Sequence, residues 1–591
     1  MAEKQRNLYT IIIRYLDNAI LTVILAGILF QQLLFWILGE LTPQFEVWEV
    51  SFEQRYFGFE KLVVLIAYIA VILRNGYAFL RRQLRFLWLL PDFVFIALVA
   101  LYYDSDWIPI YIIVLRHAFF VAYLYLAVIR TLSFFKRSRL SPVLNFVLIF
   151  GILMLLGSIL LTLPISQRSP DQPVGYLDAL FTAVSAISDT GLVVVDTGSA
   201  YSLLGHIVIL LLIELGGLGI MTFTALVSIL AGQSVGLRER RLMTEFMGDT
   251  YKDNFRKLVK WIITFSLIVE GIMAIVLFWL FRSQMDTLEH LQSVWDVMFY
   301  SIFYAISGFC NAGFTLFSDS LNQFMGFPPI IIVMIIGCLM GSTGFLVIYD
   351  IMDTIRQKLF PQRYPRVALR TISENTKVIL ITTFWIFVVG TLFFLLTESS
   401  NTLAQFRFNQ QVLNTFFKTS VGRIAGFTVS PWNDVEPETS WFMIILMFFG
   451  GPPGSVAGGV KITALFLLFV ALRAYLTRSS IIVYKRSIPK EVLLRLCSLV
   501  ALAAILIFLV SVILMISENQ PFLKVCFEAT SAFSIVGLSL GITSDLSPFG
   551  KILISMLMFI GRVGPAVFVL VTEEMRPLTE ARFPKADVFV G

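Results

Sequence analysis

Four times in this chain a phenylalanine is followed by a serine four residues on and by a glycine ten residues on, with leucine or phenylalanine next. The copies read F-T-A-V-S-A-I-S-D-T-G-L from Phe181, F-Y-A-I-S-G-F-C-N-A-G-F from Phe303, F-F-K-T-S-V-G-R-I-A-G-F from Phe416 and F-E-A-T-S-A-F-S-I-V-G-L from Phe527. One copy alone would signify close helix packing through small residues. Four in register, each with room for an apolar helix on either side, define a unit of helix, short pore helix, extended loop and helix. The chemistry open to such a unit is cation dehydration. An ion crossing a bilayer must exchange water for oxygen ligands, and backbone carbonyls supply these where irregular backbone is shielded from lipid. Glycine has no Cβ, so Gly191, Gly313, Gly426 and Gly537 allow both the backbone angles and the close approach that a carbonyl ring needs. Segments such as Leu177 to Ser188 are too short to span, and suit helices whose negative C-terminal ends aim at the ion.

The elements that must position these glycines are membrane helices. Of 591 residues 58% are hydrophobic and only 14% charged. The runs Asn18 to Gly39, Asn145 to Pro164, Leu203 to Gly232, Val378 to Leu396 and Leu496 to Ile516 each meet the roughly 20 residues required to cross about 30 Å of hydrocarbon. The first run is too long, and lacks a small-residue cleavage site, for a secretory signal, so it is expected to be retained. Basic clusters at Arg74 to Arg85, Lys136 to Arg139, Arg238 to Arg241, Arg356 to Arg370 and Arg473 to Lys490 alternate with acidic or neutral connections such as Glu40 to Glu53 and Asp104 to Asp106. Basic loops stay in the cytoplasm, which places both termini there and assigns the net charge of +6 to topology, not to nucleic acid. Cys310, Cys338, Cys497 and Cys526 show no paired spacing, so neither a disulfide framework nor a zinc site is indicated, and they read as packing residues. His117, His206 and His290 stand apart from any acid or nucleophile, which argues against an enzyme. No nucleotide-binding glycine turn follows a soluble strand, so nucleotide sensing would belong to another chain, and no covalent cofactor is expected.

Residues 1–140 hold about four further helices of spanning length, each with a charge near membrane depth: Asp17, Glu60, Asp92 and Arg116. Three acids and one base on four helices would pair inside a bundle. The arrangement resembles a voltage sensor, but the fourth helix lacks an arginine at every third position. One charge moved through about 100 mV yields only about 2.3 kcal/mol, so a structural or regulatory bundle is the favoured reading and a voltage-responsive channel the alternative.

On these frames the chain resembles the Trk/Ktr/HKT superfamily of potassium transporters, and particularly the membrane subunit of the bacterial Ktr system, from about Ser141 onward. The segment Gly450-Gly451-Pro452-Pro453-Gly454-Ser455-Val456-Ala457-Gly458-Gly459-Val460-Lys461 is similar to the family's intramembrane gating loop. Gly561-Arg562-Val563-Gly564-Pro565 is similar to its fourth-repeat segment with a pore-facing arginine, and Phe583 to Gly591 to its C-terminus. The resemblance implies an all-α integral membrane fold with four pseudo-symmetric repeats around one pore, at 141–240, 241–358, 359–478 and 479–591. Ions would be held at Thr190, Gly191, Ala312, Gly313, Ala425, Gly426, Val536 and Gly537, with Asp189, Asn311 and Arg423 beside them. It further implies potassium as transported ion, a homodimer, a cytosolic nucleotide-binding regulatory ring and a bacterial inner membrane.

A Gly/Pro-rich break inside an apolar segment is tolerable only beside a cavity and is able to move, or else is a static kink. Arg562, deep in an apolar helix, reads as a pore barrier, with snorkelling or a fixed ion pair as alternatives. The breaks at Gly216 to Gly219 and Gly341 to Gly344 are assigned to helix packing. The chain departs from the family pattern at Asp189, where an apolar residue is usual, and at Ile424 and Ile535, where threonine is common. Asp189 either concentrates cations at a mouth or hydrogen-bonds within the filter wall. In plant relatives serine in place of the first filter glycine goes with sodium transport, so Gly191 favours potassium; a sodium or nonselective carrier is the alternative.

Overall fold

The computed structural model describes residues 142–168, 173–217, 255–285, 293–359, 372–430 and 432–564. By its internal contacts the chain divides into two units, Met1–Arg137 and Ser138–Gly591, and every described residue lies in the second. The proposed N-terminal bundle with Asp17, Glu60, Asp92 and Arg116 lies outside the described residues, as do Pro565 and the ending from Phe583 to Gly591.

The described chain is helical, with one small hairpin in which β1 (Ile482–Val483) pairs antiparallel with β2 (Arg486–Ser487). Repeat one contributes α1 (Pro142–Thr162), a short α2 (Tyr176–Ser188) and α3 (Leu203–Gly217). Repeat two contributes α4 (Phe255–Ser283), a short α5 (Val294–Phe309) and then α6 (Pro328–Ser342) and α7 (Phe345–Leu359). Repeat three contributes α8 (Glu374–Glu398), a short α9 (Phe408–Phe417), α10 (Pro437–Phe448) and α11 (Ile462–Leu476). Repeat four ends the series with α12 (Lys490–Glu518), a short α13 (Phe522–Phe533) and α14 (Pro548–Val563).

Local chemistry marks these boundaries. Ser293 and Asp296 form a reciprocal capping box at the start of α5, satisfying two otherwise orphaned N–H groups. Proline opens α6, α10 and α14, where its missing N–H costs nothing. Asn519 takes the left-handed conformation that stops α12, at φ 51°.

Helices α4 (from Leu258), α8 and α12 have mean hydropathies of 2.3, 2.5 and 3.3 and are long enough to cross a bilayer. Their outer faces expose Trp279 (66%), Phe384 (60%) and Ile516 (74%), surface that only lipid suits. The short helices do the reverse: Phe181, Phe303 and Phe527 from the repeated frame are fully buried, and the core lies where these helices meet. The outer helix of repeat two was not among the runs picked out by hydropathy, because Arg256, Lys257, Lys260 and Glu270 interrupt it.

The break at Gly341 to Gly344 is a correction to the packing expectation. Gly341 does pack, since a Cβ there would strike the Phe309 carbonyl oxygen, but α6 and α7 are bent by 94° across it. Gly344 sits at φ 91°, a conformation that strains any residue with a Cβ. Gly216 and Gly217 fit the packing expectation, since side chains there would strike Ile187 and Cys310.

Candidate ion pathway and its supports

Gly191, Gly313, Gly426 and Gly537 all lie at positive φ, at 86°, 73°, 67° and 95°. A Cβ on Gly191 would stand 2.5 Å from the carbonyl oxygen of Ala312, and one on Gly313 2.5 Å from that of Ala425. On Gly426 it would strike the oxygen of Val536, and on Gly537 the oxygen of Thr190. Each glycine therefore abuts the carbonyl that precedes the glycine of the next repeat, and the fourth abuts the first. The result is a closed ring in which four carbonyls, of Thr190, Ala312, Ala425 and Val536, face four glycines.

The serine of the frame braces this ring. The N–H groups of Thr190, Ala312 and Val536 donate to the carbonyls of Ser185, Ser307 and Ser531, each at 2.9 Å. Gly191 and Gly537 donate their N–H to the Oγ of Ser185 and Ser531, both at 3.1 Å. Ser307 instead donates to the Phe314 carbonyl at 2.8 Å, and Ser420 donates back to Phe416 at 2.6 Å. Two residues before the glycine, Asp189, Asn311 and Ile535 take left-handed conformations, at φ 56°, 57° and 50°. Ile424 does not: a π turn, Lys418–Gly422, and a helical turn, Arg423–Ala425, carry the helix straight to Gly426.

Behind the ring, Asp189 is 1% exposed and pairs with Arg562, Nη2 to Oδ2 at 2.7 Å. The same guanidinium donates to the Val456 carbonyl at 2.6 Å and to the Gly216 carbonyl. Asp189 and Arg562 are thus joined in one buried ion pair. A second pair, Lys551 Nζ to Asp178 Oδ1 at 2.6 Å, joins the same two helices. Asp189 directly follows α2, eleven residues after Asp178, and Lys551 and Arg562 are likewise eleven residues apart on α14, so the two helices carry two ties about 16 Å apart. They close the seam between repeats one and four. Asp178 and Lys551 were not singled out in the sequence; opposite charges at matching spacing were the available signal, but nothing local says that segments 373 residues apart are neighbours.

The segment from Gly450 to Lys461 joins α10 to α11 as a folded-back loop. Gly450 N–H donates to the Val460 carbonyl at 2.9 Å, Val460 N–H to Phe448 at 3.1 Å and Ile462 N–H to Gly451 at 3.2 Å. Ser455 Oγ donates to the Pro452 carbonyl at 2.7 Å, and Lys461 Nζ to Ala457 at 2.8 Å. Gly454 and Gly459 turn the chain at φ 75° and 69°. A side chain on Gly458 would strike Ile535, beside the fourth ring glycine. Two arginines hold the loop: Arg562 through Val456, and Arg423, 1% exposed, through the carbonyls of Phe449 at 3.0 Å and Gly450 at 3.4 Å. Phe345 N–H, just past the 94° bend, donates to the Gly454 carbonyl at 3.1 Å. The loop thus touches repeats two and four as well as its own.

Comparison with known proteins gives this architecture relatives. Residues 117–577 match the family described as TrkH, cation transport protein. The Ktr system potassium uptake protein B of Bacillus subtilis is 34% identical over 459 residues, covering 77% of this chain and 98% of that protein. The potassium/sodium uptake protein NtpJ of Enterococcus hirae is 33% identical over 467 residues, covering 77% and 98%. The crystal structure of the potassium transporter TrkH from Vibrio parahaemolyticus superposes with a TM-score of 0.58 at 18% identity, covering 75% of this chain and 86% of that one, and so shares the fold.

Proposed function

We infer, from the premise that this chain belongs to the TrkH family of cation transport proteins, that it takes up potassium along the axis of the glycine ring. The observation that carries this reading is the cyclic contact of each glycine with the next repeat's carbonyl. Such a ring offers oxygens from Thr190, Ala312, Ala425 and Val536 in place of water, shielded from lipid by the surrounding helices. The C-terminal ends of the four short helices add their negative potential.

The loop at Gly450 to Lys461 is the gate in this reading. It lies against Ser534 and Ile535 behind the fourth ring position, and is held by hydrogen bonds from two guanidinium groups. Releasing Arg562 or Arg423 frees it to move. A homodimer on a cytosolic nucleotide-binding ring, in a bacterial inner membrane with both termini inside, belongs to the same proposal.

Sodium is the second reading, because a relative as similar as NtpJ carries potassium and sodium in its name. Proteoliposomes holding this protein alone separate the two. Potassium flux exceeding sodium flux, and lost or made nonselective by Gly191→Ser, is the expected result. Equal fluxes of both ions in the native protein, unchanged by the substitution, would overturn both potassium selectivity and the ring as the selecting element.

A further inference from the structure

Three chemistry-bearing side chains meet between repeats one and two. Glu214 lies near the end of α3, Glu270 midway along α4, and Cys310 directly after α5. One carboxylate oxygen from each glutamate and the Cys310 sulfur all lie within 4.8 Å of one another. Cys310 Sγ is 4.0 Å from Glu214 Oε2. Glu270 is 6% exposed, and its Oε1 has no hydrogen-bond partner among the described residues.

Charge makes this cluster unusual. Among the described residues, the other charged groups that act on Cys310 are Asp189 and Arg562, and these two are engaged with each other. Among the described residues, two glutamates are left facing one another inside the protein with no cationic side chain paired to them. Like charges so placed are tolerated only with a shared proton or a bound cation.

We propose that Glu214, Glu270 and Cys310 form a site for a thiophilic divalent cation of the zinc or cadmium kind, distinct from the transported ion. Two carboxylates match a divalent charge, and a sulfur donor selects zinc-like ions over potassium, magnesium or calcium. Three protein donors leave a fourth position for water in a tetrahedral shell. Ion-to-ligand distances of roughly 2.0 to 2.3 Å require the donors to close by about 1 Å, a movement within reach of the half-buried Glu214 side chain. The thiol releases its proton on binding, so occupancy falls as pH falls. A filled site would tie α3 and α4 to Cys310, three residues ahead of Gly313, and so stiffen the second quarter of the ring. Sequence spacing gave no zinc signature because the donors come from three separate elements.

The test is cadmium titration of the purified full-length protein, read as the thiolate-to-cadmium absorption band and as cadmium retained after gel filtration. The expected result is one retained ion per chain and a band lost in Cys310→Ser but kept in Cys497→Ser. Glu270→Gln should weaken binding at least as much as the roughly 10- to 100-fold that follows loss of an outer-shell partner. Should either variant fold poorly, the native protein still decides: cadmium must raise its unfolding temperature, less so at low pH, and excess magnesium must not. No retained cadmium in the native protein, or an undiminished band in Cys310→Ser, would overturn the site and leave a glutamate pair sharing a proton. Ion flux does not enter these readouts, so they stand or fall independently of potassium transport.

Discussion

In repeat one the short helix stops at Ser188 and Asp189 makes a left-handed turn, whereas in repeat three the helix runs on through the π turn Lys418–Gly422 to Ala425 and turns only at Gly426. The same twelve-residue frame thus reaches the same ring contact by two backbone routes. Burial differs too: Phe417, not the frame residue Phe416, is the fully buried ring of α9. The serine differs as well: it holds the ring glycine in repeat one but bonds back to Phe416 in repeat three. Behind the ring the roles of charge are exchanged. Repeat one offers an acid that receives its arginine from repeat four, while repeat three offers its own arginine to the carbonyls of its own loop. Ring geometry and loop anchoring are therefore carried by different residues, and substitutions should separate them.

The largest expected effect is at Asp189. Asp189→Ala strands Arg562 inside the protein, and unfolding stability in detergent should fall by about 3–5 kcal/mol, with most of the loss recovered in Asp189→Ala/Arg562→Met. A double variant no more stable than the single one would show that the pair is not the tie in repeat one. Next comes Arg423→Met, which removes charge-assisted bonds worth about 1.5–3 kcal/mol. Because the loop loses one of its two guanidinium anchors, proteoliposome flux should rise while ion preference holds; altered preference would mean that ring and loop are not separable in repeat three.

The serines sharpen the contrast further. Ser185→Ala leaves the Gly191 N–H without its acceptor and should cost about 1–3 kcal/mol, whereas Ser420→Ala removes only a bond back to the preceding turn and should cost less than about 1 kcal/mol. Equal costs, measured as thermal unfolding shifts, would erase the distinction. The smallest effect belongs to the partly exposed seam pair: Lys551→Met should cost about 1 kcal/mol or less, and should leave selectivity unchanged.

The ring was legible before the fold was known because its requirement is local. A glycine at positive φ and a serine six residues ahead of it recur wherever the backbone must make this turn. The break from Gly450 to Gly459 was legible for a similar reason, since such a run of glycine and proline cannot continue a helix. What the sequence withheld was contact between distant segments. Arg562 was recognised as an expensive residue, but its partner could be named only once ring closure brought α14 against α2. The π turn was hidden because nothing in the residue types from Lys418 to Gly422 separates a π turn from an α-helical one, and the 94° bend because Gly341 and Gly344 look alike although only the second has positive φ.

Because the ring is drawn from one continuous polypeptide, a codon change enters it once, whereas in an assembly of four identical subunits it would enter four times. Each quarter is free to drift under selection on its own, and Asp189, Asn311, Ile424 and Ile535 at one equivalent position show how far that drift has gone. Yet every glycine leans on its neighbour's carbonyl, so the damage done by a substitution should surface first in the following repeat, giving each lesion a direction around the circle.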